Sequence, residues 1–173
     1  MKTQEARDKK AGKLKENRHK ILIVDDSRMN RLTLQQILED EYDVIQASAG
    51  AEGLELVYKH MGGFSCMLLN IEMPVMDGFE VLKVLNELHW IENLPVIVIS
   101  GEASNETIRR AYELGATDYI RRPFDSAIAK RRVMNTINLY DRQKKLAMIA
   151  ADEIYKQEKN SRLVVNILSH VLE

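Results

Sequence analysis

Short apolar runs alternate with amphipathic segments along most of the chain. Three runs have the continuous hydrophobicity of strands that are covered on both faces, "ILIV" at 21–24, "CMLL" at 66–69 and "VIVIS" at 96–100. Two weaker runs, "YDVIQA" and "TDYI", bring the predicted strands to five. Strands that alternate with helices must lie parallel and cross over right-handedly. The pattern therefore predicts an α/β fold, a doubly wound parallel sheet with helices on both faces.

Four helical patterns separate these strands, and their ends carry capping signals. Ser27 precedes "RMNRLTLQQILED" as a predicted N-cap, and "SNETIRRAYELG" ends on Gly115 as a predicted C-terminal cap. The patterns "AEGLELVYKH" and "DGFEVLKVLNEL" lie between them. Helical and strand patterns thus alternate as far as "RRPF" at 121–124.

Beyond that motif the chain changes character, because Asp125 to Glu173 contains no glycine and no proline. This segment predicts one very long helix, or two in line. Apolar residues recur at alternating three- and four-residue spacings, a weak heptad seam that Lys144, Glu158 and Ser161 interrupt. The seam consists of Val133, Ile137, Tyr140, Ala147, Ala151, Ile154, Val165, Leu168 and Leu172. A parallel homodimer is favoured over an extended monomeric linker, although the first turns could simply cover the sheet.

Composition limits the organisation and the class of partner. The 173 residues are 45% hydrophobic and 29% charged, with a net charge of -1, so we expect one domain with an extension and no general attraction to nucleic acid or membranes. The predicted parts are a basic, disordered leader (1–19), a core domain (20–138) and a helical linker (139–173). The leader lacks a hydrophobic signal core, which favours a cytoplasmic protein. The lone cysteine, Cys66, lies in an apolar run and is expected to be a buried, inert thiol.

Polar residues stand at the predicted strand ends, where an open parallel sheet places its chemistry. The first strand leads to Asp25 and Asp26, the third ends at Asn70, the fourth at Ser100, and the fifth leads to Arg121 and Arg122. Adjacent carboxylates suit Mg²⁺, and a cation, a hydroxyl and a guanidinium together suit a phosphate-like dianion. Capping of the first helix could alone explain Asp26, but it leaves Asp25 unexplained.

Four motifs in succession resemble the receiver domain of two-component response regulators over about residues 20–138. They are "ILIVDDSRMNR", "LLNIEMPVMDGFEVL", "LPVIVISGEAS" and "ELGATDYIRRPF". The resemblance implies a five-stranded flavodoxin-like sheet, a regulatory rather than an enzymatic role, and a histidine kinase as a possible partner. It also implies that the peptide bond between Arg122 and Pro123 is cis.

The same resemblance assigns roles at the strand ends. It implies that Mg²⁺ is held by Asp25, Asp26 and the main-chain carbonyl of Glu72. Ser100 would hydrogen-bond a phosphoryl group, and Tyr119 would be the aromatic switch residue. A phosphatase that uses Asp25 as nucleophile is disfavoured, because the aspartates of such enzymes lie two residues apart and these are adjacent.

Two positions depart from the family pattern. Asn70 replaces the phosphoacceptor aspartate and Arg122 replaces the phosphate-binding lysine. An amide should not form an acyl phosphate, and the loss of a carboxylate should weaken Mg²⁺ binding. We therefore predict a pseudo-receiver that relays a signal through a dimeric helix. The alternative is a conventional phospho-dependent receiver in which an aspartate was replaced to block phosphorylation, although the missing lysine favours a natural Asn70.

The C-terminal stretch "SRLVVNILSHVLE" resembles the opening helix of HD-type phosphohydrolase domains, including the HD-GYP domains that hydrolyse cyclic di-GMP. This resemblance predicts an output domain in cis and makes the chain the regulatory part of a larger response regulator. No helix-turn-helix pattern follows the predicted receiver, which argues against DNA binding.

Overall fold

The five predicted strands form one parallel sheet. A computed structural model describes residues 18–101, 104–123 and 125–171, with side chains as far as residue 163. The strands are β1 (Lys20–Val24), β2 (Asp43–Ala47), β3 (Cys66–Asn70), β4 (Val96–Ser100) and β5 (Asp118–Arg121). Their order across the sheet is β2-β1-β3-β4-β5, and every neighbouring pair is parallel. The predicted doubly wound α/β fold is confirmed.

The connections are helical, as the sequence pattern predicted. The helices are α1 (Arg28–Leu38), α2 (Gly50–Lys59), α3 (Gly78–Glu87), α4 (Asn105–Glu113) and α5 (Ser126–Val171), with a 3₁₀ turn at Trp90–Glu92. Ser27 caps α1 through its hydroxyl, which accepts a hydrogen bond from the Asn30 amide. Gly115 follows the end of α4 with a positive φ of 96°, a conformation that glycine adopts without strain.

Alternate residues of each central strand enter two separate cores. Leu22 and Val24 of β1 face α2, α3 and α4, whereas Ile21 and Ile23 face α1 and the start of α5. This two-residue period is expected of a strand buried on both faces. The three central strands are therefore apolar throughout, and polar groups are left to the strand ends.

Helix α5 is one continuous helix of 46 residues and not two in line. Its early residues Val133 and Ile137 are buried in the core beside α1. These two members of the predicted seam thus cover the sheet, which was the simpler explanation for the first turns.

Contacts divide the chain into two units, Met1–Ile137 and Asn138–Glu173. The first unit contains the sheet, and the described part of the second is helical. The predicted leader (1–19) lies almost entirely outside the described residues, so its disorder stays a prediction. Within the described ranges, no helix combines the length and the apolarity needed to cross a membrane.

Candidate functional site

The polar strand ends meet at one edge of the sheet. Asp25 follows β1 directly and is only 2% exposed, Asn70 is the last residue of β3, and Ser100 is the last residue of β4. The sheet order places β3 between β1 and β4, so parallel pairing brings these ends together. Arg122 follows β5 and reaches back into the same region.

Asp25 is held by donors on both carboxylate oxygens. Oδ1 accepts hydrogen bonds from the Ser27 amide at 2.8 Å and from Asn30 Nδ2 at 3.2 Å. Oδ2 accepts from Asn30 Nδ2 at 3.2 Å and from Arg122 Nη2 at 3.1 Å. Burial nevertheless raises the pKa of Asp25, because desolvation disfavours the charged carboxylate more than these donors and the guanidinium favour it.

Asn70 uses both ends of its amide. Nδ2 donates to Asp26 Oδ1 at 3.1 Å and to the main-chain carbonyl of Glu72 at 2.8 Å. Oδ1 accepts from Arg122 Nη2 at 2.7 Å. The opposite amide orientation would place an oxygen against two acceptors and an NH₂ group against a guanidinium, so these partners fix the orientation.

Arg122 joins three strand ends. Its Nη2 atom contacts Asp25 Oδ2, Asn70 Oδ1 and, at 3.4 Å, the carbonyl oxygen of Ile99 on β4. The buried Nε atom has no hydrogen-bond partner among the described residues. The peptide bond from Arg122 to Pro123 is cis, as predicted.

Ser100 and Tyr119 lie at the margins of this network. The Ser100 hydroxyl donates to Glu72 Oε1 at 3.2 Å. Tyr119 is buried and packs in the apolar core beside α4. Their predicted roles as phosphate ligand and switch residue stay predictions.

Sequence reasoning missed two residues that position the acidic pair. Asn30 binds both oxygens of Asp25, and Arg31 Nη1 donates to the main-chain carbonyls of Asp25 at 2.7 Å and Asp26 at 3.1 Å. Both lie in the first turn of α1, three and four residues after the Ser27 cap. That placement was a usable signal, because the first turn after a cap lies beside the loop that precedes the helix.

The residues assigned to Mg²⁺ do not fit the ion as they are arranged. Mg²⁺ takes six oxygen ligands in near-octahedral geometry, but Asn70 presents an NH₂ group to both Asp26 and the Glu72 carbonyl. Asp25 is already engaged by Arg122 and Asn30. Across the described ranges, no group of three or more histidine, cysteine, aspartate or glutamate residues could hold a metal ion.

Comparison with known proteins gives a consistent family match. The sequence model of the response regulator receiver domain matches residues 21–134. A "Probable cyclic di-GMP phosphodiesterase" from Vibrio cholerae is 35% identical over 113 residues, which cover 65% of this chain and 25% of the relative. "Sporulation initiation phosphotransferase F" from Bacillus subtilis is 36% identical over 107 residues, covering 61% of this chain and 83% of the relative.

Solved structures agree. The chain superimposes on one chain of the CheX-CheY-BeF3-Mg+2 complex from Borrelia burgdorferi with a TM-score of 0.64 and 31% identity, covering 68% of this chain and 87% of that one. The chain spans only a quarter of the Vibrio relative, so that match concerns a part of the relative's length.

Proposed function

Because the chain belongs to the response regulator receiver domain family, we propose that it is a pseudo-receiver, which relays a signal without phosphorylation at residue 70. The observation that carries this proposal is the buried Asn70, whose amide is fully engaged at the phosphoacceptor position. An amide has no anionic form at neutral pH and is a poor nucleophile toward phosphorus. Its engagement as both donor and acceptor supports a structural role.

Intact-mass measurement tests the proposal directly. The chain is incubated with acetyl phosphate and Mg²⁺, and the mass should stay unchanged. A gain of one phosphoryl group at any residue would contradict the pseudo-receiver function. A known phosphorylatable receiver treated in the same way shows that the reagent is active.

A conventional phospho-dependent receiver, in which Asn70 was introduced in place of an aspartate to block phosphorylation, is the second candidate. It is favoured by the 36% identity to a relative named a phosphotransferase, and a histidine kinase would then be the partner. Asn70→Asp should restore Mg²⁺-dependent labelling and change dimerisation if this candidate is correct. Absence of labelling in Asn70→Asp would count against it and would implicate Arg122.

Mg²⁺ binding is a separate part of the proposal. Receiver domains generally bind Mg²⁺ at this acidic pocket, and the Borrelia complex contains it. Here one carboxylate is replaced by an amide, which lowers the negative charge available to a cation. We expect much weaker Mg²⁺ binding than in a receiver with three aspartates, because the oxygens of Asp25, Asp26 and the Glu72 carbonyl are already engaged by Arg122 and Asn70.

The signal would leave through α5. Beyond Ile137 its described side chains are mostly exposed, among them the large apolar residues Leu139, Leu146, Met148, Ile149, Ile154, Tyr155 and Leu163. Of these seven residues only Ile154 is a position of the predicted seam, and its exposed side chain favours a second copy of the chain as partner, which is the basis for a homodimer. The seam positions Val165 and Leu168 lie in a stretch without described side chains, and Leu172 lies outside the described residues.

The output would be a domain in cis on a longer protein that acts in the cytoplasm. The name of the Vibrio relative and the C-terminal resemblance to HD-type domains both support a cyclic di-GMP phosphodiesterase. On this proposal the receiver has no catalytic activity of its own, and it binds neither nucleic acid nor membrane. Assay of the full-length protein for cyclic di-GMP hydrolysis, with and without the receiver, would test the connection.

A further inference from the structure

We infer that Arg122 and Asn70 together take the place of the metal ion, so that the pocket is closed by the protein's own cation and does not depend on Mg²⁺. This inference deepens the proposed function, on which it rests, because it concerns what controls the same pocket. The two residues, with Asp25, Asp26 and the Glu72 carbonyl, are called the clasp below.

The donors of the clasp point at the oxygens that a metal ion would need. Asn70 Nδ2 lies 3.1 Å from Asp26 Oδ1 and 2.8 Å from the Glu72 carbonyl oxygen. A single NH₂ group therefore bridges two of the three assigned ligands. A cation that bound both oxygens would have to displace this group, and the amide would lose both acceptors.

The third ligand is neutralised by a permanent positive charge. Arg122 Nη2 is 3.1 Å from Asp25 Oδ2, and Asp25 is almost fully buried. Arg122 is the cation of the clasp, and it contacts Asp25. The other aspartate, Asp26, is exposed and has no contact with a cation of the clasp.

The clasp also connects the ends of several strands, as a metal ion bound by residues of those strands would. Arg122 is separated from Asp25 by 97 positions and from Asn70 by 52, yet one Nη2 atom contacts both. The ends of β1, β3 and β5 are thus tied together by side chains of the chain itself. A pocket tied in this way holds one arrangement whether or not divalent cations are present.

Thermal unfolding of the whole chain tests the inference. The wild type should unfold at the same temperature, within about 1 °C, in about 10 mM MgCl₂ and in NaCl of equal ionic strength. The double variant Asn70→Asp/Arg122→Lys restores the family pattern. Its unfolding temperature should be about 5 °C or more higher in MgCl₂ than in NaCl, if it binds Mg²⁺ with a dissociation constant near 0.1 mM. The matched control Asn70→Asp/Arg121→Lys carries the same two types of change but keeps Arg122, and should gain less.

Several results would overturn the inference. One is a saturable Mg²⁺-dependent rise in the wild type that Asp26→Asn removes, and this measurement does not depend on how the Arg122 variant folds. Equal responses of the two double variants would remove Arg122 from the explanation. If MgCl₂ raises the unfolding temperature of neither double variant, something other than the clasp excludes the metal ion.

The acetyl phosphate experiment distinguishes this failure from failure of the proposed function. A wild-type chain that binds Mg²⁺ and takes up no phosphoryl group contradicts the clasp alone. A wild-type chain that gains a phosphoryl group contradicts the pseudo-receiver.

Discussion

Asn70 shows how one atom changes the chemistry of a pocket. A carboxylate at this position would present acceptors to Asp26 and to the Glu72 carbonyl, whereas the amide presents a donor to both. Repulsion among neighbouring acceptors is thereby replaced by two hydrogen bonds. The oxygens of Asp26 and the Glu72 carbonyl, which would otherwise bind a metal ion, can then accept hydrogen bonds from Asn70 directly.

Gly78 allows this site to be assembled, because the start of α3 lies against the end of β3. A Cβ atom at Gly78 would overlap the Asn70 carbonyl oxygen and would be 2.8 Å from Ile71 Cα, both backbone atoms that cannot move aside. Gly78→Ala should lower the free energy of unfolding by about 3 kcal/mol. Urea denaturation measures this, and Gly101→Ala is the control, since nothing lies within 4 Å of a Cβ there. Equal losses for the two variants would contradict the argument.

Val75 carries backbone strain in the loop between β3 and α3. Its φ is 68°, a left-handed conformation that is unfavourable for a β-branched residue, and its side chain is fully exposed. Val75→Asn should raise the free energy of unfolding by about 1 kcal/mol, because asparagine tolerates this conformation. Leu32→Asn, an exposed substitution inside α1, should have the opposite sign. A loss of stability in Val75→Asn would show that the loop is not strained there.

Helix α3 begins with a capping box formed by Asp77 and Glu80. The Asp77 carboxylate accepts a hydrogen bond from the Glu80 amide at 2.8 Å, and Glu80 Oε2 accepts one from the Asp77 amide at 2.9 Å. Two amides without helical partners are satisfied by this capping box. Its position directly after the β3 loop fixes where α3 begins relative to Asn70.

Removal of this cap gives a prediction with a conservative control. Asp77→Ala should cost about 1 kcal/mol of unfolding free energy, measured by thermal or urea denaturation. Asp77→Ser keeps an acceptor oxygen and should lose clearly less. If both variants lose the same amount of unfolding free energy, the hydrogen bond of the cap contributes nothing to stability beyond the charge of Asp77.

The second half of α5 permits a test of the predicted seam with two residues of the same type. Ile154 is a seam position and is 60% exposed, and Ile149 lies on another face of the helix and is 52% exposed. Ile154→Glu should shift the chain toward monomer in sedimentation, because it places a charge in the dimer contact, whereas Ile149→Glu should leave the dimer unchanged. A monomeric wild type, or dissociation by both variants, would contradict the dimer proposal.

At the scale of the whole molecule, the reactivity of the Cys66 thiol measures whether the sheet opens. It is fully buried in β3, and burial raises the pKa of its thiol. Native Cys66 should react with a thiol reagent at least roughly a thousandfold more slowly than in urea, since reaction requires global unfolding. Rapid labelling of the native chain would mean that β3 is exposed by local opening.

The order of elements could be predicted because it depends on local patterns. Continuous apolar runs such as "VIVIS" specify strands buried on both faces, and Ser27 and Gly115 mark helix ends by their local chemistry. The sequence does not decide whether Val133 and Ile137 pack on the sheet or on a partner chain, because a helix in either position shows the same spacing of apolar residues. Their burial beside α1 was needed to decide it.

The residue types at the strand ends followed from the linear chain, since parallel strands place their carboxyl ends at one edge. Which atoms face each other did not follow, because that depends on rotamers and on contacts between residues far apart in sequence. Arg122 could have extended into solvent, yet it turns inward to Asp25 and donates to Asn70 Oδ1. That second contact, with the two acceptors of Asn70 Nδ2, fixes the orientation of the Asn70 amide. The sequence by itself thus determined that the pocket lacks its nucleophile. Only the tertiary structure decided that the donors of Asn70 and Arg122 occupy the pocket, because these contacts join residues far apart in the chain.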